Sequence, residues 1–275
     1  MGNLLAMHRE VRYLFEPYHL WTAIDPRTDM VHLFQNRHGN CELTADDVTP
    51  SIQCRFESLI GRRLAGEGAP TLVEKTPINA LRIGYLQALA PGCRFIHIVR
   101  DGVDVARSIE RLANANTYRI AGKPSFNQWW GDHDVKWSLL ASEGARSYPD
   151  LGDMAALQDH AARGAYEWLL SLLAVDRWRS FLGDRLLIVR YSELTRTPSQ
   201  TMRKIASFAR LTAEPRWLDL CDDSTYLSRT NTDRSPLALP DLFLYEFQRQ
   251  QQAYNFQGTA QPMISKRSMH APLIA

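Results

Sequence analysis

The chain lacks the features that would place it in several common classes. Only four cysteines occur among 275 residues (Cys41, Cys54, Cys93 and Cys221), and no two form a CxxC pair. That usage excludes a zinc ribbon, argues against a disulfide scaffold and suits a reducing compartment. Cys93 opens an apolar run and is expected to be a buried thiol. No Asn-X-Ser/Thr sequon is present, which removes one usual sign of secretory passage. No apolar stretch approaches the roughly 20 residues that a membrane span requires. Charge of one sign is not in excess either. The 32 Lys and Arg balance 30 Asp and Glu to a net +2, so the concentrated basic surplus of a nucleic-acid binder is missing. An anionic small ligand, which needs only a few placed cations, stays compatible. A GxxxxGK(S/T) loop is absent, which excludes an ordinary P-loop kinase. The first ten residues hold no basic leader followed by an apolar run, so the expected compartment is the cytoplasm. No His/Cys/carboxylate pattern has metal-ligand spacing, and no metal is expected. Oligomeric state leaves no mark in the pattern.

What is present reads as one α/β domain over residues 1–256, with a flexible tail from 257 to 275. Leu4, Leu5, Met7, Val11 and Leu14 are spaced for a short amphipathic helix at the start. Residues from Phe15 to Asn40 read as loop with short helical pieces. Asp46 to Leu64 reads as a helix burying Ile52, Phe56, Leu59 and Ile60, ended by Gly66, Gly68 and Pro70. Thr71-Leu72-Val73 is a short strand running into Glu74-Lys75-Thr76-Pro77, and Pro77 suits the first turn of a following helix. The clearest strand is Arg94-Phe95-Ile96-His97-Ile98-Val99, whose apolar run fits a parallel strand covered on both faces. A helix carrying Val105, Ile109 and Leu112 follows it. Further on, a long helix is expected from Met154 to about Phe181, a strand from Arg185 to Tyr191, and helices from Pro198 to Leu211 and from Pro240 to Gln252. Strand and helix alternating through short connections is the βαβ signature.

The chemistry concentrates at strand ends, where ligands of open α/β sheets collect. Val99-Arg100-Asp101-Gly102, with Ser108 two helical turns further on, offers an arginine and a helix N-terminus to an anion. An equally simple reading has Arg100 paired with a carboxylate and Asp101 capping the helix. Helix geometry alone does not set Arg100 beside Ser108. Glu16 and Glu74 are the candidate general bases, each open to a plainer role as a loop carboxylate or a structural ion pair. Lys75, next to Glu74, either faces an anion or is solvated. His97 inside an apolar strand reads as a core histidine. Trp129, Trp130, Trp137 and Trp168 read first as packing residues and second as walls of an acceptor pocket.

The order Glu-Lys-Thr-Pro, helix, Phe-Ile-His-Ile-Val-Arg-Asp and a downstream Ser resembles the sulfotransferase superfamily. Ile188-Val189-Arg190-Tyr191-Ser192-Glu193-Leu194 followed by Pro198 is similar to its second strand-and-loop element. The resemblance runs from about Leu4 to Leu211. It implies a three-layer α/β fold, P-loop-NTPase-like, with a parallel sheet flanked by helices. It also implies transfer of a sulfuryl group from 3′-phosphoadenosine 5′-phosphosulfate (PAPS) to a hydroxyl or amine of a small molecule, glycan, lipid or peptide. The product nucleotide would be adenosine 3′,5′-bisphosphate (PAP). Arg100 and Ser108 map onto the 3′-phosphate ligands, Arg190 and Tyr191 lie where the next strand end approaches the nucleotide, and Ser228 to Arg234 fall where a cover over it would lie. Glu16 falls where relatives place an acidic base after their first helix. The family's phosphosulfate loop has no counterpart here. Gly61-Arg62-Arg63 and Gly66-Glu67-Gly68 follow no strand, so the first strand and loop are expected to be missing from this chain. The alternative reading is a non-catalytic PAP-binding or interaction protein that keeps the 3′-phosphate half of the site.

Overall fold

A computed structural model describes residues 1–34, 39–61, 71–224, 233 and 235–263. In chain order the elements that matter are α1 (Gly2–Ala6), β1 (Val11–Phe15), α2 (Tyr18–Ile24), α3 (Pro50–Phe56), β2 (Thr71–Lys75) and α4 (Ile83–Leu89). They continue with β3 (Phe95–Val99), α5 (Gly102–Ala115), the short pair β4 (Phe126–Asn127) and β5 (Gly131–Asp132), α6 (Val135–Ser147) and α7 (His160–Leu182). The last third holds β6 (Leu186–Arg190), α8 (Tyr191–Arg196), α9 (Pro198–Ala209), α10 (Pro215–Asp223), β7 (Leu237–Leu239), α11 (Asp241–Ala253) and β8 (Ala260–Pro262).

The architecture is α/β with parallel strands between helices, as the sequence pattern predicts. β1 pairs with β2 from Val11↔Thr71 to Phe15↔Lys75, and β3 pairs with β6 from Phe95↔Leu186 to Val99↔Arg190, both in parallel. Among the described residues these remain two separate two-stranded ladders. Alternation along each strand explains why helices cover both faces. Val11, Val73, Ile96, Leu187 and Val189 turn toward a cluster built by Leu4 and Leu5 of α1, Met202 and Ile205 of α9, and Trp217 and Leu218 of α10. This cluster therefore spans both ladders. On the opposite face Leu72 meets Trp21, Ile24, Ile52, Tyr85 and Leu89. Phe95 and Leu186 meet Val175 and Leu182 of α7.

The largest core lies where α5 crosses α7. A Cβ on Gly164 would come within 3.1 Å of the Ala106 Cα, so a glycine on one helix and an alanine on the other allow the backbones to approach closely. Trp130, Trp137, Tyr166 and Phe243 extend this core by successive edge-to-face contacts at 5.3–5.8 Å. Trp130, Trp137 and Trp168 are buried, which gives the packing role to three of the four tryptophans.

Several local expectations change. The expected opening helix stops at Ala6, and Val11–Phe15 is a strand. The β-branched and aromatic residues of Val-Arg-Tyr-Leu-Phe find a ladder partner in Thr71–Lys75, which decides a segment whose apolar spacing suits either element. Between them His8 makes the turn: its Nε2 donates to the Thr212 carbonyl at 2.8 Å, and its Nδ1 accepts from Glu10 N–H at 3.1 Å. α7 starts at His160 rather than Met154, because the Asp159 carboxylate caps it by accepting from Ala162 N–H at 2.8 Å. Cys93 is half-buried, Cys41 and Cys221 are the buried thiols, and none of the four cysteines forms a disulfide. Ala260–Pro262 pairs in parallel with Leu237–Leu239, so the folded part extends past the boundary drawn at 257. Residues 62–70, which hold the two Gly-containing runs apart from Gly61, residues 228–232 and 234 of the cover segment, and residues 264–275 lie outside the described residues.

Candidate functional site

Each ladder ends, at its C-terminal side, in polar groups. At the first, Lys75 Nζ forms an ion pair with Glu16 Oε1, and Glu16 N–H donates to the Lys75 carbonyl at 2.8 Å. Glu16 thus follows a strand, not the helix that the sequence suggested. Its φ of 43° lies in the left-handed region, disfavoured for a side-chain-bearing residue and more so for one that precedes a proline. Such strain costs on the order of 1 kcal/mol or more and is stored where surrounding contacts fix the chain. The exposed ring of Phe15 lies beneath Lys75 at 5.2 Å, so the pair rests on an aromatic surface.

Glu74 sits differently. Its Oε1 accepts from Trp21 Nε1 at 2.9 Å and from the Thr76 hydroxyl, and its Oε2 accepts from Asn79 Nδ2 at 2.7 Å. Burial pushes its carboxyl above the usual range, against the pull of these donors. Both oxygens are engaged in fixing the turn after β2, while Glu16 stands at the more open edge. The two candidate bases therefore have different surroundings.

At the second ladder Arg100 follows β3. Its guanidinium lies over the Tyr191 ring at 4.9 Å and pairs with Asp104 at 3.3 Å. Its Nε is buried without a hydrogen-bond partner among the described residues. Arg190 is half-buried at the last position of β6, opposite Val99, and Ser108 is half-buried on α5. The plainer readings of this motif are both realised in geometry. Arg100 has its carboxylate, and Asp101 caps α5 by accepting from Val103 N–H at 2.9 Å. Among the described residues the buried Arg100 Nε donor stays without a partner.

At the N-terminus of α5 two of the N–H groups that the sequence offered to an anion are already taken. Val103 N–H is bound by Asp101, and Gly102 N–H donates to Gln251 Oε1 at 2.9 Å. A phosphate here falls to side chains more than to the helix end.

One turn of α7 connects the two strand ends. Trp168 Nε1 donates to the Arg100 carbonyl at 2.9 Å. Its neighbour Glu167 lies close enough to Tyr18 to help raise the phenol pKa, although burial is the main cause and Glu16 also contributes. Glu167 itself accepts from Lys136 Nζ at 2.6 Å and from Trp129 Nε1 at 2.9 Å. On α5, Arg107 pairs with Asp233 and donates to the Ser235 carbonyl at 2.7 Å, tying down the end of the segment expected to act as a cover.

Sequence reasoning did not single out Tyr18, Asp104 or Gln251, and it read Trp168 as a packing residue or pocket wall rather than as a partner of Arg100. Asp104 had a local signal, four residues after Arg100. Trp168 and Gln251 act across 68 and 149 residues, and nothing in their neighbourhoods marks these contacts.

Among the described residues no helix is long and apolar enough to cross a membrane, and no group of three or more His, Cys, Asp or Glu could hold a metal ion. No curated protein matches the chain. Among solved structures it is similar to mouse sulfotransferase SULT7A1, crystallised with PAP, at 16% identity and a TM-score of 0.36. That similarity covers 85% of this chain and 72% of the mouse protein. The sequence profile of the sulfotransferase family matches residues 2–153, just over half of the chain and a span that includes Glu16, Glu74, Lys75, Arg100 and Ser108. The chain therefore belongs to the sulfotransferase family.

Proposed function

We propose that the chain binds PAPS through Arg100 and Ser108 and transfers its sulfuryl group to a hydroxyl or amine acceptor. The observation that carries this reading is the Arg100 guanidinium, held by Tyr191 and Asp104 while its buried Nε has no partner among the described residues. A buried donor left unpaired costs about 1–3 kcal/mol, and a 3′-phosphate oxygen is a partner that removes the cost. Arg190 and Tyr191 border the nucleotide from the neighbouring strand end.

In the transfer, Glu16 takes the acceptor proton as the acceptor oxygen or nitrogen forms its bond to sulfur. The bond from sulfur to the bridging phosphate oxygen breaks, its electron pair stays on that oxygen, and PAP leaves. Lys75 stabilises the negative charge on the sulfuryl group or phosphate. Glu74 holds the turn that carries Lys75. The acceptor is a small molecule, glycan, lipid or peptide meeting the face beside Phe15, and the protein works as a soluble cytoplasmic enzyme without a metal.

The Glu16–Lys75 pair favours a second reading, because each group neutralises the other. Under it the chain binds PAP and transfers nothing. Calorimetric titration with PAP, alongside turnover of radiolabelled PAPS on a panel of hydroxyl and amine acceptors, separates the two. PAP binding with turnover supports the enzyme; binding alone supports the non-catalytic protein. No PAP binding by the wild-type chain removes both.

A further inference from the structure

The turn Arg100–Gly102 is held less by its own neighbours than by α11 and the residues that follow it. Gln251 of α11 is buried, 3% exposed, and its amide makes three hydrogen bonds. Its Oε1 accepts from Gly102 N–H, and its Nε2 donates to Asp101 Oδ1 and to the Gly258 carbonyl, all at 2.9 Å. Asp101 Oδ2 in turn accepts from Gln257 N–H at 3.1 Å and from Gly258 N–H at 2.7 Å. With Val103 N–H, the Asp101 carboxylate has four donors, three of them from residues 251, 257 and 258. Gly258 is required by contact: a Cβ there would lie 2.3 Å from Asp101 Oδ1 and 2.5 Å from Val103 Cγ2.

We infer that Gln251 and Gly258 are positioning residues for the nucleotide site, setting the turn from which Arg100 reaches its ligand. This rests on the proposed 3′-phosphate role of Arg100. The geometry gives the clamp two consequences. It closes Gly102 N–H to any ligand, as the Asp101 cap closes Val103 N–H, so that recognition of a phosphate falls to the Arg100 side chain more than to the helix end. It also makes that recognition depend on residues about 150 positions away, in a segment that carries no basic group of its own at these contacts. Without the amide, Gly102 N–H, Asp101 Oδ1 and Gly258 C=O each lose a partner, and the turn is free to shift under Arg100.

The test compares two probes, PAP and adenosine 5′-monophosphate, which lacks the 3′-phosphate. Binding is measured for the wild-type chain, for Gln251→Met, which keeps volume and removes all three bonds, and for Gly258→Ala, which disturbs the clamp from its other side. Thermal melts accompany each titration. The expected result is PAP affinity weakened roughly tenfold in both variants, with the affinity for adenosine 5′-monophosphate within about twofold of wild type. Unchanged PAP affinity in the folded variants overturns the inference and leaves the nucleotide reading intact. Equal weakening of both probes, tracking a lower melting temperature, also overturns it, because a merely structural residue behaves that way. A wild-type chain that binds the two probes equally overturns the role of Arg100 and the clamp with it.

Discussion

Lys75 and Glu16 are joined twice, by an ion pair between their side chains and by a hydrogen bond from Glu16 N–H to the Lys75 carbonyl. The second link fixes where the first can form, so the carboxylate is held at the strand end in a backbone conformation that it would not choose alone. A general base needs that kind of placement more than it needs a shifted pKa. Glu16→Gln removes the base and keeps the size of the side chain. Turnover of PAPS is expected to fall about a hundredfold while PAP affinity stays within about twofold of wild type. Turnover within a few-fold of wild type would sink the assignment.

Glu74 serves as the contrast. Three donors converge on it, from Trp21, Thr76 and Asn79. Glu74→Gln places an amide donor against one of them, so the variant is expected to lose about 1–2 kcal/mol of stability in urea titrations. Its turnover per folded molecule should stay close to wild type. A hundredfold loss of turnover with no loss of stability would reverse the roles of the two carboxylates.

How much of this could be read from the chain depends on distance along it. β2, β3 and β6 announce themselves as short apolar runs ending in Lys75, Arg100 and Arg190, because a strand covered on both faces must be apolar throughout. β1 does not. Its five residues share their apolar spacing with Leu4 and Leu5, and the choice of strand rests on pairing with residues 60 positions later. The site divides in the same way. Arg100 and Glu16 were legible as charged groups at element ends. That Glu16 meets Lys75, 59 residues on, and that Glu74 is fully engaged, are facts of folding. Gln251 carries no signal at all, since an amide inside a helix looks like any surface residue until its partners are known.

The ion pair beneath the site makes a stability prediction. The side chains of Lys136 and Glu167 are 6% and 9% exposed, and Lys136 also lies 4.4 Å from the Trp129 ring. Removing one partner strands a buried charge, which costs about 3–5 kcal/mol. Lys136→Met is expected to lower the melting temperature by about 10 °C. The double variant Lys136→Met with Glu167→Gln should recover more than half of the loss, because no charge remains and the glutamine oxygen still accepts from Trp129. Melting of the single variant within 2 °C of wild type, on a scale of about 2–4 °C per kcal/mol, would show that the pair is solvated in solution.

His97 sets the response to acid. Its Nδ1 is buried without a partner among the described residues, and burial lowers its pKa from 6.5 to about 4, with Asp176 pulling it up and Arg179 pushing it down. A base whose folded pKa is depressed binds its proton more readily in the unfolded chain. Between pH 6.5 and about 4 the unfolded state therefore takes up a proton that the folded state refuses, and stability falls as the pH falls. Above 6.5 neither state is protonated and His97 contributes no slope; below about 4 both are protonated and the loss is complete. His97→Gln cannot take up that proton. Its melting temperature should therefore decline several degrees less than wild type across this window, whatever its absolute stability at neutral pH. Parallel pH curves for the two proteins would mean that His97 reaches solvent in the folded state, and that the strand burying its ring is open where the fold has it closed.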